Sequence, residues 1–118
     1  SHYPKYDTAM YYDAFGKFLW GGNPKHIPPH IRIFNKPGWA YGFLDDASYI
    51  VDFNKRVEFM LVATIQVNED GILDDAHYQT ESLGKPFLHH LGKLIYDYEC
   101  NRPKQYLPDL SAIKLQYN

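Results

Sequence analysis

Two stretches of the chain place a lysine three residues after a serine, the spacing at which a lysine one helical turn away can take the hydroxyl proton of a nucleophile. They are Ser82-Leu83-Gly84-Lys85 and Ser111-Ala112-Ile113-Lys114. Neither is well placed for that chemistry. Pro86 puts Lys85 outside the helix that would present it, and Ser111 has too little chain after it to build a buried helix. The six histidines raise the question of a metal. His26 and His30 are four apart, but Pro28 and Pro29 between them forbid the helix that would aim both one way, and the adjacent His89 and His90 diverge on a helix. No zinc site and no cofactor are expected. Asn68-Glu69-Asp70-Gly71 has part of a calcium loop, yet aligning Gly71 with the loop glycine puts Gln66 and His77 where Asp and a bidentate Glu are required. It reads as a solvated acidic turn. Lys36-Pro37-Gly38 sets an amine beside a glycine that permits close approach, and its simplest reading is a turn that closes a strand.

The elements that must position these residues follow from periodicity. Tyr11, Ala14, Phe15, Phe18 and Leu19 fall at helical spacing, which predicts a helix from Thr8 to about Trp20, with Asp7 or Thr8 as N-cap and Gly21-Gly22-Asn23-Pro24 as its end. After a proline-rich loop, His30 to Asn35 reads as a short strand. Tyr41 to Phe53 holds two extended runs around Asp45-Asp46, which suggests a bulge or bend in one long strand. Val57 to Val67 is the clearest strand, because Phe59, Leu61, Ala63, Ile65 and Val67 alternate with Glu58, Thr64 and Gln66. Asn68 to Gly84 is turn-rich and reads as a surface connection. Pro86 then opens a helix whose stripe is Phe87, Leu88, Leu91, Leu94, Ile95 and Tyr98, and Pro103 requires it to stop by Asn101. The expected fold class is α+β: a three-stranded antiparallel meander flanked by an N-terminal and a C-terminal helix, with residues 101–118 as a tail.

Composition bounds the function. At 118 residues, 45% of them hydrophobic, the chain suits one domain. A net charge of -2 gives no footprint for nucleic acid, and no apolar run approaches the ~20 residues of a membrane span. Cys100 is the only cysteine, so no internal disulfide forms. Ser1-His2-Tyr3-Pro4 is no signal peptide and reads as a cut end. The aromatic share is 17%, from eleven Tyr, seven Phe and two Trp, and the expectation is that most fill the core beneath two helices, with Trp20 more buried than Trp39. The rival reading is an exposed platform at Tyr11-Tyr12 and Trp39-Tyr41, as in a glycan- or peptide-binding module.

The run Ile33-Phe34-Asn35-Lys36-Pro37-Gly38-Trp39-Ala40-Tyr41-Gly42-Phe43-Leu44-Asp45-Asp46-Ala47-Ser48-Tyr49-Ile50-Val51-Asp52 resembles the region after the Lys-Thr-Gly motif in class A β-lactamase-like and penicillin-binding-protein-like serine hydrolases, and the likeness runs loosely from residue 8 to residue 100. In that family the motif lies on a sheet strand bordering the active site, followed by two antiparallel strands and a terminal helix. The resemblance implies that Lys36 supports the field around a catalytic hydroxyl and a substrate carboxylate, that Gly38 allows close backbone approach, and that the Trp39 N–H donates to an oxyanion. Pro37 stands where the family has Thr or Ser, removing a hydroxyl and an N–H. Both Ser-x-x-Lys matches come after Lys36, the wrong order for the family nucleophile, and no Ser-Asp-Asn or Ser/Tyr-x-Asn triplet is present. The implied protein is the carboxy-terminal part of a larger serine hydrolase domain, inactive alone and supplying one wall. Its implied partners are the missing N-terminal part and a small amide or ester substrate, and the parent is implied to be exported. An apolar edge on Val57 to Val67 calls for cover, so Ala112 to Tyr117 is expected to add a strand, on its own sheet or across a homodimer.

Overall fold

The computed structural model describes residues 10–114. Three strands, β1 (Ile31–Ala40), β2 (Phe43–Asp52) and β3 (Val57–Gln66), form an antiparallel sheet in the order β1-β2-β3. A π-helical turn, Thr80–Gly84, runs directly into the helix α1 (Lys85–Asn101), and a 3-10 turn, Ser111–Ile113, lies near the end. The α+β class, the meander and the C-terminal helix are therefore present as expected.

Alternation sorts the strands into two faces. In β3, Val57, Phe59, Leu61, Ala63 and Ile65 are buried or half-buried and the residues between them are exposed. Leu61, Ala63 and Ile65 pack with Phe18 and Leu91 around the buried trio Leu19, Leu44 and Leu88, and fully burying a Leu contributes about 1.5–3 kcal/mol. A second cluster joins Ala14, Trp20 and Ile31 to Tyr96 of α1. Two turns fix the register. Tyr41 (φ 53°) and Gly42 (φ 80°) are both left-handed, the two-residue turn whose twist suits a hairpin, and a Cβ on Gly42 would lie 2.8 Å from that of Asn68. Between β2 and β3, Asp52 Oδ1 accepts the N–H groups of Asn54 (2.8 Å) and Lys55 (2.9 Å), which turns the chain for the return strand.

Several expectations are corrected. Residues 10–20 form no helix but a series of turns, closed by i to i+3 bonds such as Phe15 N–H to Tyr12 O (2.8 Å) and broken by Gly16 at φ 69°. Thr8 and Asp7, the expected N-cap, lie outside the described residues. No bulge marks Asp45-Asp46: they pair in unbroken register with Gly38 and Pro37 on one side and Thr64 and Ala63 on the other. Lys36-Pro37-Gly38 does not close β1, which continues to Ala40 because Pro37 sits on an edge strand. Part of the expected surface connection, Thr80–Gly84, is helical, so Lys85 begins α1 rather than standing outside it, with Pro86 in the first turn where no N–H is missed.

Ala112 and Ile113 lie in the 3-10 turn, not a strand, and residues 115–117 fall outside the description. Among the described residues α1 alone packs as a helix on one face of the sheet, and most described aromatics are not buried. Trp20 is, at 7% exposure, whereas Trp39 is 56% exposed, the expected ranking. On the face away from α1, Phe34 stacks on Tyr49 (6.2 Å between ring centres), and Met60 and Val62 are 78% and 68% exposed. Among the described residues, β3 has no strand on its outer side.

Candidate binding cleft and the Lys36 strand

The wall formed by residues 12–20 is held to the sheet by side chains rather than by its own backbone. Asp46, fully buried on β2, accepts the Leu19 N–H at Oδ2 (3.0 Å) and Asn35 Nδ2–H at Oδ1 (2.9 Å). Asn35 also donates to the Gly16 carbonyl (2.7 Å). A helix through these residues would commit the Leu19 N–H to its own carbonyl ladder. The buried carboxylate instead captures it, and charge-assisted bonds of this kind contribute about 1.5–3 kcal/mol each. The same wall touches α1 at Gly92, where an added Cβ would lie 1.8 Å from the Leu19 carbonyl oxygen.

Between this wall, the end of β1 and the first turns of α1 lies a cleft of about 530 Å³. Its apolar lining includes Tyr12, Phe15, Phe18, Pro37 and Trp39, and its charged or titratable lining is Lys17, Glu81, Lys85, His89 and His90. Lys85 Nζ lies 4.6 Å from the Trp39 ring centre and 5.9 Å from that of Phe18, the geometry of a cation–π contact. Its carboxylate partner is Glu81, four residues back. The Glu81 side chain is 73% exposed, and a surface pair of this spacing contributes only about 0.3–0.5 kcal/mol. His89 Nδ1 lies 2.8 Å from the Trp20 carbonyl oxygen and His90 Nδ1 lies 2.7 Å from that of Pro86. A carbonyl only accepts, so each Nδ1 carries the proton, and in the neutral ring Nε2 is an acceptor.

The three residues singled out by the β-lactamase resemblance separate. Gly38 and Trp39 line the cleft. Gly38 pairs with Asp45, and a Cβ there would meet Asp45 Oδ2 at 2.7 Å, so the glycine makes room for that carboxylate. Lys36 pairs with Ala47 and, two residues from Gly38, shares its face of the strand, opposite to Trp39; it is exposed, and its ammonium donates to the Pro37 carbonyl (2.8 Å). Ser82 and Lys85 share one helical stretch, but only Lys85 lines the cleft. Lys17, His89 and His90 were not legible as one site, because they lie about 70 residues apart and are joined only by the packing of residues 12–20 on α1.

Elsewhere the polar groups hold structure. Burial pushes the Asp52 carboxyl up, but hydrogen bonds from Tyr96 Oη (2.6 Å) and from the Lys55 and Asn54 N–H groups outweigh it and hold it below the usual carboxylate range. Burial and the same Asp52 contact raise the Tyr96 phenol. On the open face, burial and the bond to Glu58 push Tyr49 up to about 12. Ser48 Oγ is buried without a partner among the described residues. No group of three or more His, Cys, Asp or Glu suited to a metal occurs among the described residues, and no described helix is long and apolar enough to cross a membrane.

Compared with known proteins, the chain matches no family model, no curated protein and no solved structure.

Proposed function

We propose that this chain is the carboxy-terminal part of a β-lactamase-like serine hydrolase, which acts through an acyl-enzyme on an amide or ester and takes its Ser-x-x-Lys nucleophile from a segment that precedes these residues. The observation that carries the reading is the placement of Lys36: it stands exposed on an edge strand, on the sheet face that α1 leaves open. The order of meander and then helix is the order the resemblance implies. An open face carrying Phe34, Met60 and Val62 supports it further, since a large exposed apolar patch marks a surface that a partner covers. In this reading Lys36 supplies positive potential to the catalytic hydroxyl, and the Trp39 N–H stabilises the oxyanion.

The test is the coding sequence upstream of Ser1, followed by expression of the continuous protein. It should encode Ser-x-x-Lys in an apolar helix, and incubation with a penicillin or an activated ester should add the acyl mass to that serine. Lys36→Ala should slow acylation by roughly 10²-fold, the loss seen when one preorganised electrostatic contact is removed. The present chain alone should gain no acyl mass. An upstream sequence without Ser-x-x-Lys, or acylation indifferent to Lys36→Ala, sinks the reading. A second reading, a glycan- or peptide-binding module, is favoured by the aromatic lining of the cleft, and the upstream sequence separates the two.

A further inference from the structure

We propose that the cleft is a binding site for a small molecule with a flat apolar body and a single carboxylate. The inference rests on the cleft alone and stands whether or not the hydrolase reading holds. A volume of about 530 Å³ with mainly apolar walls and a few polar groups suits a small organic ligand. Phe15, Phe18 and Trp39 supply ring surface for the body.

Charge selects the rest. The lining carries two lysines, Lys17 and Lys85, and one carboxylate, Glu81, which leaves it one positive charge in excess. Lys17 has no ion-pair partner among the described residues. Lys85 is held against Trp39 while its partner Glu81 stays largely in solvent, so a ligand carboxylate can take the place of Glu81 without moving the ammonium off the ring. With Nδ1 bound to a carbonyl, the neutral rings of His89 and His90 keep Nε2 as an acceptor, which suits a donor on the ligand and disfavours a second anionic group. The ligand class is therefore an aromatic monocarboxylate with a hydroxyl or amide N–H, on the opposite face of β1 from Lys36.

The experiment titrates the full chain with N-acetyl-phenylalanine and, separately, with its neutral analogue N-acetyl-phenylalaninamide, following tryptophan fluorescence and amide chemical shifts. The acid should bind saturably, with shifts confined to residues 12–20, Trp39 and the first turns of α1. At low salt it should bind about tenfold more tightly than the amide, and near 0.5 M salt that advantage should shrink severalfold, because partly exposed charges are screened. Lys85→Met should weaken the acid at least about fivefold and leave the amide unchanged, as loss of a charge contact requires. If that variant unfolds, the salt dependence of the unaltered chain decides alone. Equal binding of acid and amide, a preference that salt does not change, or no saturable shift with either compound would each overturn the proposal.

Discussion

Replacing Asp46 with Ala removes the acceptor for two donors at once, the Leu19 N–H and the Asn35 amide, in a position with no solvent access. Each buried donor left unpaired costs about 1–3 kcal/mol, and the small cavity adds to that, so the loss should be about 3–5 kcal/mol. For a domain between 100 and 150 residues, 1 kcal/mol shifts Tm by roughly 4 °C, so Asp46→Ala should lower Tm by about 12–20 °C. Asp46→Asn keeps one acceptor but turns an NH2 group toward the other donor, and should lose about half as much. The damage should be local before it is global. Phe15 and Phe18 lie in the released wall, so limited chymotrypsin digestion at native temperature should cut there first, in the variant and not in the unaltered chain. Denaturation of both variants gives the magnitudes. If Asp46→Ala costs less than about 0.5 kcal/mol, the carboxylate does not hold this wall, and the reason given for the missing N-terminal helix fails.

Gly92→Ala should gain about 1 kcal/mol in helix propensity but lose more through the Leu19 carbonyl 1.8 Å away, for a net loss of about 2 kcal/mol by chemical denaturation; a rise in stability would show that the helix and the wall are not in contact. Gly84→Ala, whose Cβ meets only side-chain atoms of Leu44 and Val67 at 3.2 and 3.4 Å, should be the milder change of the two. Ser48→Ala should be neutral or stabilising by up to ~1 kcal/mol, because it deletes a buried hydroxyl with no partner; a clear loss would reveal a bond to that oxygen. Asp52 is held below its ordinary value in the fold, so its stabilisation is complete above the unfolded value and is lost as pH falls through the folded one. Tyr96→Phe deletes one of the donors responsible, so the Asp52 titration followed by NMR should move up and acid unfolding should begin at higher pH; an unmoved Asp52 titration would refute this.

What was legible in the sequence was what depends on near neighbours. The alternation of Phe59, Leu61, Ala63 and Ile65 is intrinsic to a strand with one covered face, and Pro86 is intrinsic to a helix start, but of the expected stripe Leu88 is buried and Leu91 and Ile95 half-buried, whereas Phe87, Leu94 and Tyr98 stand exposed. Residues 10–20 have the same helical spacing, but the group that decides their conformation is Asp46, 27 residues from Leu19. No local pattern carries that information. Asp45-Asp46 read as a bend because adjacent carboxylates break a hydrophobic run, whereas in the fold one of them is the buried anchor. The cleft was only half legible: Gly38 and Trp39 were singled out for a different reason, and Lys36 stands on the face of β1 opposite to Trp39.

The Asp46 anchor also sets an order of events during synthesis. The wall residues leave the ribosome before the carboxylate that holds them, and at roughly 5–20 residues per second the delay across 27 residues is about one to five seconds. Hairpins close within microseconds of being available, so β1 and β2 pair as soon as both have emerged. Until then Leu19 and Phe18 lack Leu44 and the sheet face they pack on. The cleft itself is completed later still, when α1 supplies Lys85, His89 and His90, and a nascent chain arrested before β2 would expose those side chains to whatever recognises unfolded protein.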